Sequence, residues 1–188
     1  MRATFLQAEL DGIKLIQPLT VFEDERGDDV ETFNRDAYRD VGIPTDFKKD
    51  DYATSHKHVL REMHGDDKTE KLVSCPYDKF HFVALQADEN NVQYMKWVST
   101  ELSISNRTQV YLPAKISIGY LVLSDVEIFQ YRQPTYHHET KQFTIKWSDE
   151  RASIAWLIEQ TIRSERDAWP SLDNQTHSRA GRQARLAG

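Results

Sequence analysis

From Asp46 onward, apolar and polar residues alternate in short runs parted by turn signals, at 52–55, 58–63, 71–75, 79–86, 93–102, 108–112, 116–123, 126–131 and 142–147. Strands this short and this closely spaced build a sandwich or a closed barrel, not a parallel sheet with crossover helices. Runs such as Phe80-His81-Phe82-Val83 and Val126 to Tyr131 are rich in the aromatic and β-branched residues that suit a pleated surface. The turn Pro76-Tyr77-Asp78 uses Asp78, a residue that tolerates a left-handed backbone. Upstream, Gly12 to Leu19 reads as a strand, Gly27 as a turn and Asp28 to Phe33 as a second strand. Asn34 then caps a brief helix over Asp36 to Val41 that Gly42 and Pro44 stop. After Asp149 the period changes, and Ile154, Leu157, Ile158 and Thr161 predict a C-terminal helical segment over 153–162. Beyond Ser171 large apolar residues are few, so the expected organisation is one domain over 1–170 and a mobile tail over 171–188.

Within this train, Val59 to Cys75 gathers the most chemistry: two short apolar runs, Val59-Leu60 and Leu72-Val73, flank a Gly-Asp-Asp-Lys turn and carry Arg61, His64 and Lys71. A hairpin here aims several charged groups into one place. Strict alternation puts Arg61 and Met63 on one face and Leu60, Glu62 and His64 on the other, so the pattern leaves open which of them share a cavity. A chain of 188 residues, 39% hydrophobic, can bury a real core around such a site. Its formal net charge of −6 argues against a dedicated nucleic-acid binder, while leaving room for a local basic pocket that takes a phosphorylated small molecule. The lone Cys75 rules out an internal disulfide and reads as a small buried residue. The first ten residues are too short and polar for a signal peptide, and no run spans a membrane, so a soluble cytoplasmic protein is expected. The sequence His137-His138-Glu139 invites a metal, but neighbours on a regular strand point to opposite faces and cannot share one ion.

A set of motifs falls in a fixed order: D-E-R-G at 24–27, V-E-T-F-N-R-D at 30–36, L-R-x-x-H at 60–64, K-L-V-S-C at 71–75 and L-S-x-x-N at 102–106. There follow L-P at 112–113, G-Y-L-V-L-S-D at 119–125, Y-R at 131–132, W-S-D-E at 147–150 and S-E-R-D at 164–167. Together they resemble the dTDP-4-dehydrorhamnose 3,5-epimerase family. H-G-D-x-K-T-x-K-L at 64–72 is similar to the hairpin of a branch acting on GDP-linked heptose precursors of surface polysaccharides. The resemblance implies an all-β, cupin-like jelly roll with short flanking helices, working as a homodimer without metal or cofactor. Its substrate would be a 4-keto nucleotide-diphosphate sugar, dTDP- or GDP-linked. By the same resemblance His64 is the base, Asp167 holds its ring, Lys71 stabilises the enolate and Tyr131 returns the proton. Arg26, Glu31, Lys49, Asp51, Arg61 and Arg166 fall at substrate-binding positions. The chemistry suits the residues: a ketone acidifies its neighbouring C–H bonds, and epimerisation needs a base on one face, a proton donor on the other and a cation at the enolate oxygen.

Departures are equally definite. Ile118 stands where the family places a second substrate-contacting histidine, Lys49-Asp50-Asp51 replaces a Gln-x-Asn pair, Glu62 replaces a glycine, and Asp28 and Asp29 replace apolar residues. None of these changes touches His64, Lys71, Tyr131 or Asp167. Two function classes follow from this reading, an epimerase and a non-epimerising protein on the same barrel, either a 3,4-ketoisomerase or a sugar-nucleotide binding module. Deuterium exchange into the sugar separates them.

Overall fold

The computed structural model describes residues 4–7, 9–18, 21–136 and 140–164. Among them the elements run β1 (Thr4–Gln7), β2 (Lys14–Gln17), β3 (Val21–Asp24), β4 (Gly27–Val30), α1 (Arg35–Asp40), β5 (Lys49–His56), β6 (Leu60–Asp66) and β7 (Lys71–Tyr77). There follow β8 (Lys79–Gln86), β9 (Trp97–Ser103), β10 (Gln109–Leu112), β11 (Ile116–Val122), β12 (Val126–Gln133) and β13 (Gln142–Ile145). They form a six-stranded sheet, β1-β2-β10-β7-β12-β5, and a five-stranded sheet, β13-β6-β11-β8-β9, with the β3-β4 hairpin apart. From β5 onward successive strands shuttle between the two sheets, except for the β8-β9 hairpin, and the named strands pair antiparallel, which is the cupin-like jelly roll.

Alternation decides what each strand buries. Phe80, Phe82 and Ala84 of β8 and Ile116, Ile118 and Tyr120 of β11 turn inward and meet Val73, Val110 and Phe129 of the facing sheet. Tyr120 stacks on Phe129 across the gap, ring centroids 4.5 Å apart and planes 8° from parallel. Phe80 braces both rings, at 5.0 and 5.7 Å. Outside, the six-stranded sheet is covered by α1, whose Tyr38 packs with Ile16, Leu72 and Tyr111. Asn34 caps that helix by accepting the Ala37 amide at 3.2 Å.

The second outer face corrects the C-terminal expectation, because 153–162 forms no helix among the described residues. Ile154 and Trp156 lie with Met63, Val83 and Leu85, whereas Leu157 and Ile162 remain 60% and 58% exposed. The apolar residues therefore do not make one buried stripe, and the backbone takes an irregular path as a cover. That path ends on β6: Leu60 N–H donates to the Ile162 carbonyl at 2.9 Å, and Ile162 N–H donates to His58 at 2.8 Å. Several strand limits also move: the strand expected over Gly12 to Leu19 spans only Lys14–Gln17, the one expected over Asp28 to Phe33 spans Gly27–Val30, and β9 starts at Trp97, not Gln93. Val21–Asp24 is a further strand that the sequence pattern did not mark. Asp78 does take a left-handed conformation, with φ of 56°.

Candidate active site

The open question of which side chains share a face is answered by an irregularity in β6. His64 lies opposite Ile118 of β11, and Arg61 lies opposite Tyr120, so three residue steps on β6 span two on β11. Residues directly opposite one another point the same way, and the extra residue lets Arg61 and His64 both turn inward, while Leu60 and Met63 face out. Uninterrupted alternation had separated them. Gly119 makes the bulge feasible: a Cβ there would lie 2.6 Å from Met63 Sδ and 2.9 Å from the Arg61 carbonyl oxygen. His64 is half-buried, and its Nδ1 sits 3.0 Å from Thr144 Oγ1 on β13, which fixes the ring's tilt.

The facing sheet contributes the other groups. On β12, Glu127, Phe129 and Tyr131 share the inward face, opposite Ser55, Ala53 and Asp51 of β5. Burial, and then the neighbouring Asp51 carboxylate, push the Tyr131 phenol up to about 12, so at neutral pH it keeps its proton. Asp51 in turn pairs with Lys49, two residues back on the same strand. Lys71 shares the inward face of β7 with Val73, which lies opposite Tyr131. Its Nζ donates to Asp66 Oδ2 at 2.8 Å. Burial alone would raise the Asp66 carboxyl; the Lys71 ammonium and the Thr69 and Lys68 donors outweigh it and hold the group below the usual carboxylate range.

Arg61, itself exposed, reaches the buried Ser55 and donates through Nε and Nη2 to its Oγ, both at 3.2 Å. Glu127 has no exposed surface and faces the same pair, yet neither of its oxygens makes a well-directed hydrogen bond among the described residues. The carboxyl is pushed up to about 7 by burial, with Ser55 and Arg61 pulling the other way. Sequence reading missed Ser55, Asp66 and Glu127. Counting in twos from Tyr131 and from His64 finds Glu127 and Asp66, whereas Ser55 emerges only from strand register.

Not every candidate joins this set. Arg26 stands in the exposed β3-β4 turn with its guanidinium on Asp24 at 2.6 Å, and Glu31 accepts from Asn34 Nδ2 at 3.2 Å on the surface. Asp167 and Arg166 lie outside the described residues, as do His137, His138, Glu139 and the tail. Among the described residues no cluster of three or more His, Cys, Asp or Glu forms a metal-binding group. Nor is any described helix long and apolar enough to cross a membrane.

Compared with known proteins, residues 7–174 match the family model described as dTDP-4-dehydrorhamnose 3,5-epimerase. The chain belongs to the dTDP-4-dehydrorhamnose 3,5-epimerase family. The dTDP-4-dehydrorhamnose 3,5-epimerase of Escherichia coli K12 is 36% identical over 155 residues, covering 80% of this chain and 83% of that protein. Its namesake from Methanothermobacter thermautotrophicus is 32% identical, covering 89% and 94%. Among solved structures, the Legionella pneumophila dTDP-6-deoxy-D-glucose-3,5-epimerase, crystallised with dTDP-4-keto-L-rhamnose, superposes with a TM-score of 0.83 at 31% identity, covering 89% and 90%. As a member of the 3,5-epimerase family the chain is an enzyme of the isomerase class. Its own mark is apolar lining beside His64, where Ile118 is the cross-strand neighbour and only 9% exposed.

Proposed function

We propose that the chain is a cofactor-independent epimerase of a 4-keto nucleotide-diphosphate sugar, exchanging the proton at C3, at C5 or at both. The names of its relatives make a dTDP-linked 4-keto-6-deoxyhexose the first substrate to try, with a GDP-linked 4-keto heptose as the second. The observation that carries this reading is the placement of His64 and Tyr131 on the inner faces of opposite sheets. A sugar ring between them would meet a base on one face and a proton donor on the other.

His64 takes the proton next to the ketone, and the electron pair moves onto the C4 oxygen. The Lys71 ammonium stabilises that developing enolate, and Tyr131 delivers a proton to the opposite face as the carbonyl reforms. A phenol held near 12 suits this task, since it surrenders its proton only to a strongly basic carbon. Asp167 serves as the carboxylate partner of His64. Arg26, Glu31, Lys49, Asp51, Arg61 and Arg166 hold the nucleotide diphosphate and sugar, guanidinium forks being matched to phosphate oxygens. The enzyme works as a cytoplasmic homodimer supplying a sugar for surface polysaccharide. An apolar groove that opens beside the unpaired edge of β9 supports the dimer.

The test is incubation with dTDP-4-keto-6-deoxyglucose, and separately with a GDP-linked 4-keto heptose, in heavy water. Label at C3, or at C3 and C5, is the expected result, and a His64→Asn variant should slow incorporation by about 10²- to 10⁴-fold. Absence of label with every 4-keto substrate tried would sink the epimerase reading in favour of a binding protein.

A further inference from the structure

We propose that Asp66 is a positioning residue for Lys71, and that its two carboxylate oxygens do separate jobs. The inference rests on the reading of Lys71 given above, as the cation beside the substrate's C4 oxygen. Asp66 ends β6 in one sheet and Lys71 begins β7 in the other, so their contact ties the two walls together at the hairpin. Oδ1 accepts the backbone amides of Lys68 and Thr69 at 3.1 and 2.6 Å and shapes the turn. Oδ2 accepts the Lys71 ammonium at 2.8 Å. Both side chains are largely dry, 13% exposed for Lys71 and 7% for Asp66.

A lysine head on a four-carbon stem has no fixed direction of its own. Here the stem leaves the inner face of β7 and its end is caught by a carboxylate that the turn amides already immobilise. One of the three ammonium protons is spent on Asp66, and the other two remain for a carbonyl oxygen. A donor aimed before substrate arrives stabilises charge without having to reorganise during the reaction. The same turn reaches the strand of Tyr131's side as well, because Thr69 Oγ1 lies 2.7 Å from Thr135 Oγ1, just past the end of β12.

The division of labour gives a clean test. Asp66→Asn keeps a carbonyl oxygen for the turn amides but turns an NH2 toward the Lys71 ammonium, where an acceptor is needed. In the deuterium-exchange assay with dTDP-4-keto-6-deoxyglucose, this variant should lose roughly 10- to 100-fold in kcat with little change in KM. It should melt below the unmodified chain, because the largely dry Lys71 ammonium loses its acceptor, while the turn amides keep theirs. Adding it to Lys71→Met should slow exchange no further than Lys71→Met does alone. Asp66→Ser, whose hydroxyl also caps the turn, should show the same split, so the test survives poor folding of the asparagine variant. If both Asp66 variants exchange at the unmodified rate while Lys71→Met is impaired, the positioning role is wrong and the epimerase reading stands. If the unmodified chain incorporates no label from dTDP-4-keto-6-deoxyglucose or from the GDP-linked 4-keto heptose, the underlying reading falls and takes this inference with it.

Discussion

Glu127 has no exposed surface, and it sits inside the barrel beside the guanidinium of Arg61 and the hydroxyl of Ser55. Tyr120 reaches the same pair, and Cys75 also feels the Glu127 charge. Burial pushes the carboxyl from 4.5 to about 7, so the unfolded chain ionises first as pH rises. The relative stabilisation is whole below about 4.5, declines across the interval up to about 7, and above that leaves a constant penalty. Glu127→Gln should therefore stabilise the fold at pH 8 by roughly 2–3 kcal/mol and by nothing near pH 4.5, as read from urea midpoints at the two pH values. A Gln variant with the same midpoint difference at both would refute this. Ionised Glu127 also competes for Arg61, so dTDP-glucose, whose diphosphate diester keeps the same charge across this range, should by calorimetry bind tighter at pH 6 than at pH 8. In the Gln variant that dependence should vanish.

At the scale of elements, the bulge between β6 and β11 controls what the site contains. Gly119→Ala would place a methyl 2.6 Å from Met63 Sδ and 2.9 Å from the Arg61 carbonyl, and the backbone of β6 must give way. The expected cost is about 1–3 kcal/mol in urea unfolding, with deuterium incorporation falling further than stability does. An alanine variant with normal incorporation would show that the bulge is not needed to aim His64. Much of the scaffold was legible beforehand: periodic runs such as 79–86 and 116–123 became strands because alternation and β-branched or aromatic residues agreed there. His64, Lys71 and Tyr131 could be named from motif order, but not their faces, since a bulge leaves no periodic trace. The helix expected over 153–162 failed for a related reason: its apolar residues are recruited singly by the sheet beneath, and tertiary demand overrode local spacing.

For the molecule as a whole, the two sheets are joined by no strand pairing among the described residues, and a groove opens between them at one flank. Between β2 and β10 on one side and β8 and β9 on the other lies a groove of about 390 Å3, lined by Ile13, Leu15, Phe82, Ala84, Val98 and Val110. It lies two strands across from His64 and from Tyr131, through Ala84–Ile118 and Val110–Val73, and runs beside β9, whose outer edge pairs with no strand among those described. An apolar groove beside an unpaired edge suits a second copy of the chain. Ser99→Arg, at an exposed residue of the groove on β9, should accordingly shift sedimentation from dimer to monomer at micromolar concentration while leaving far-ultraviolet dichroism unchanged. A monomeric unmodified chain would remove the dimer. Elsewhere in the interior, the Tyr120–Phe129 stack lies between the wall that bears the imidazole and the wall that bears the phenol. Those rings act as a shim: their thickness helps set the width of the gap between the wall of His64 and the wall of Tyr131. Core composition in this chain thereby bears on the width of that gap as well as on packing, and a change of ring at Tyr120 or Phe129 should alter the spacing of the two walls without replacing His64 or Tyr131.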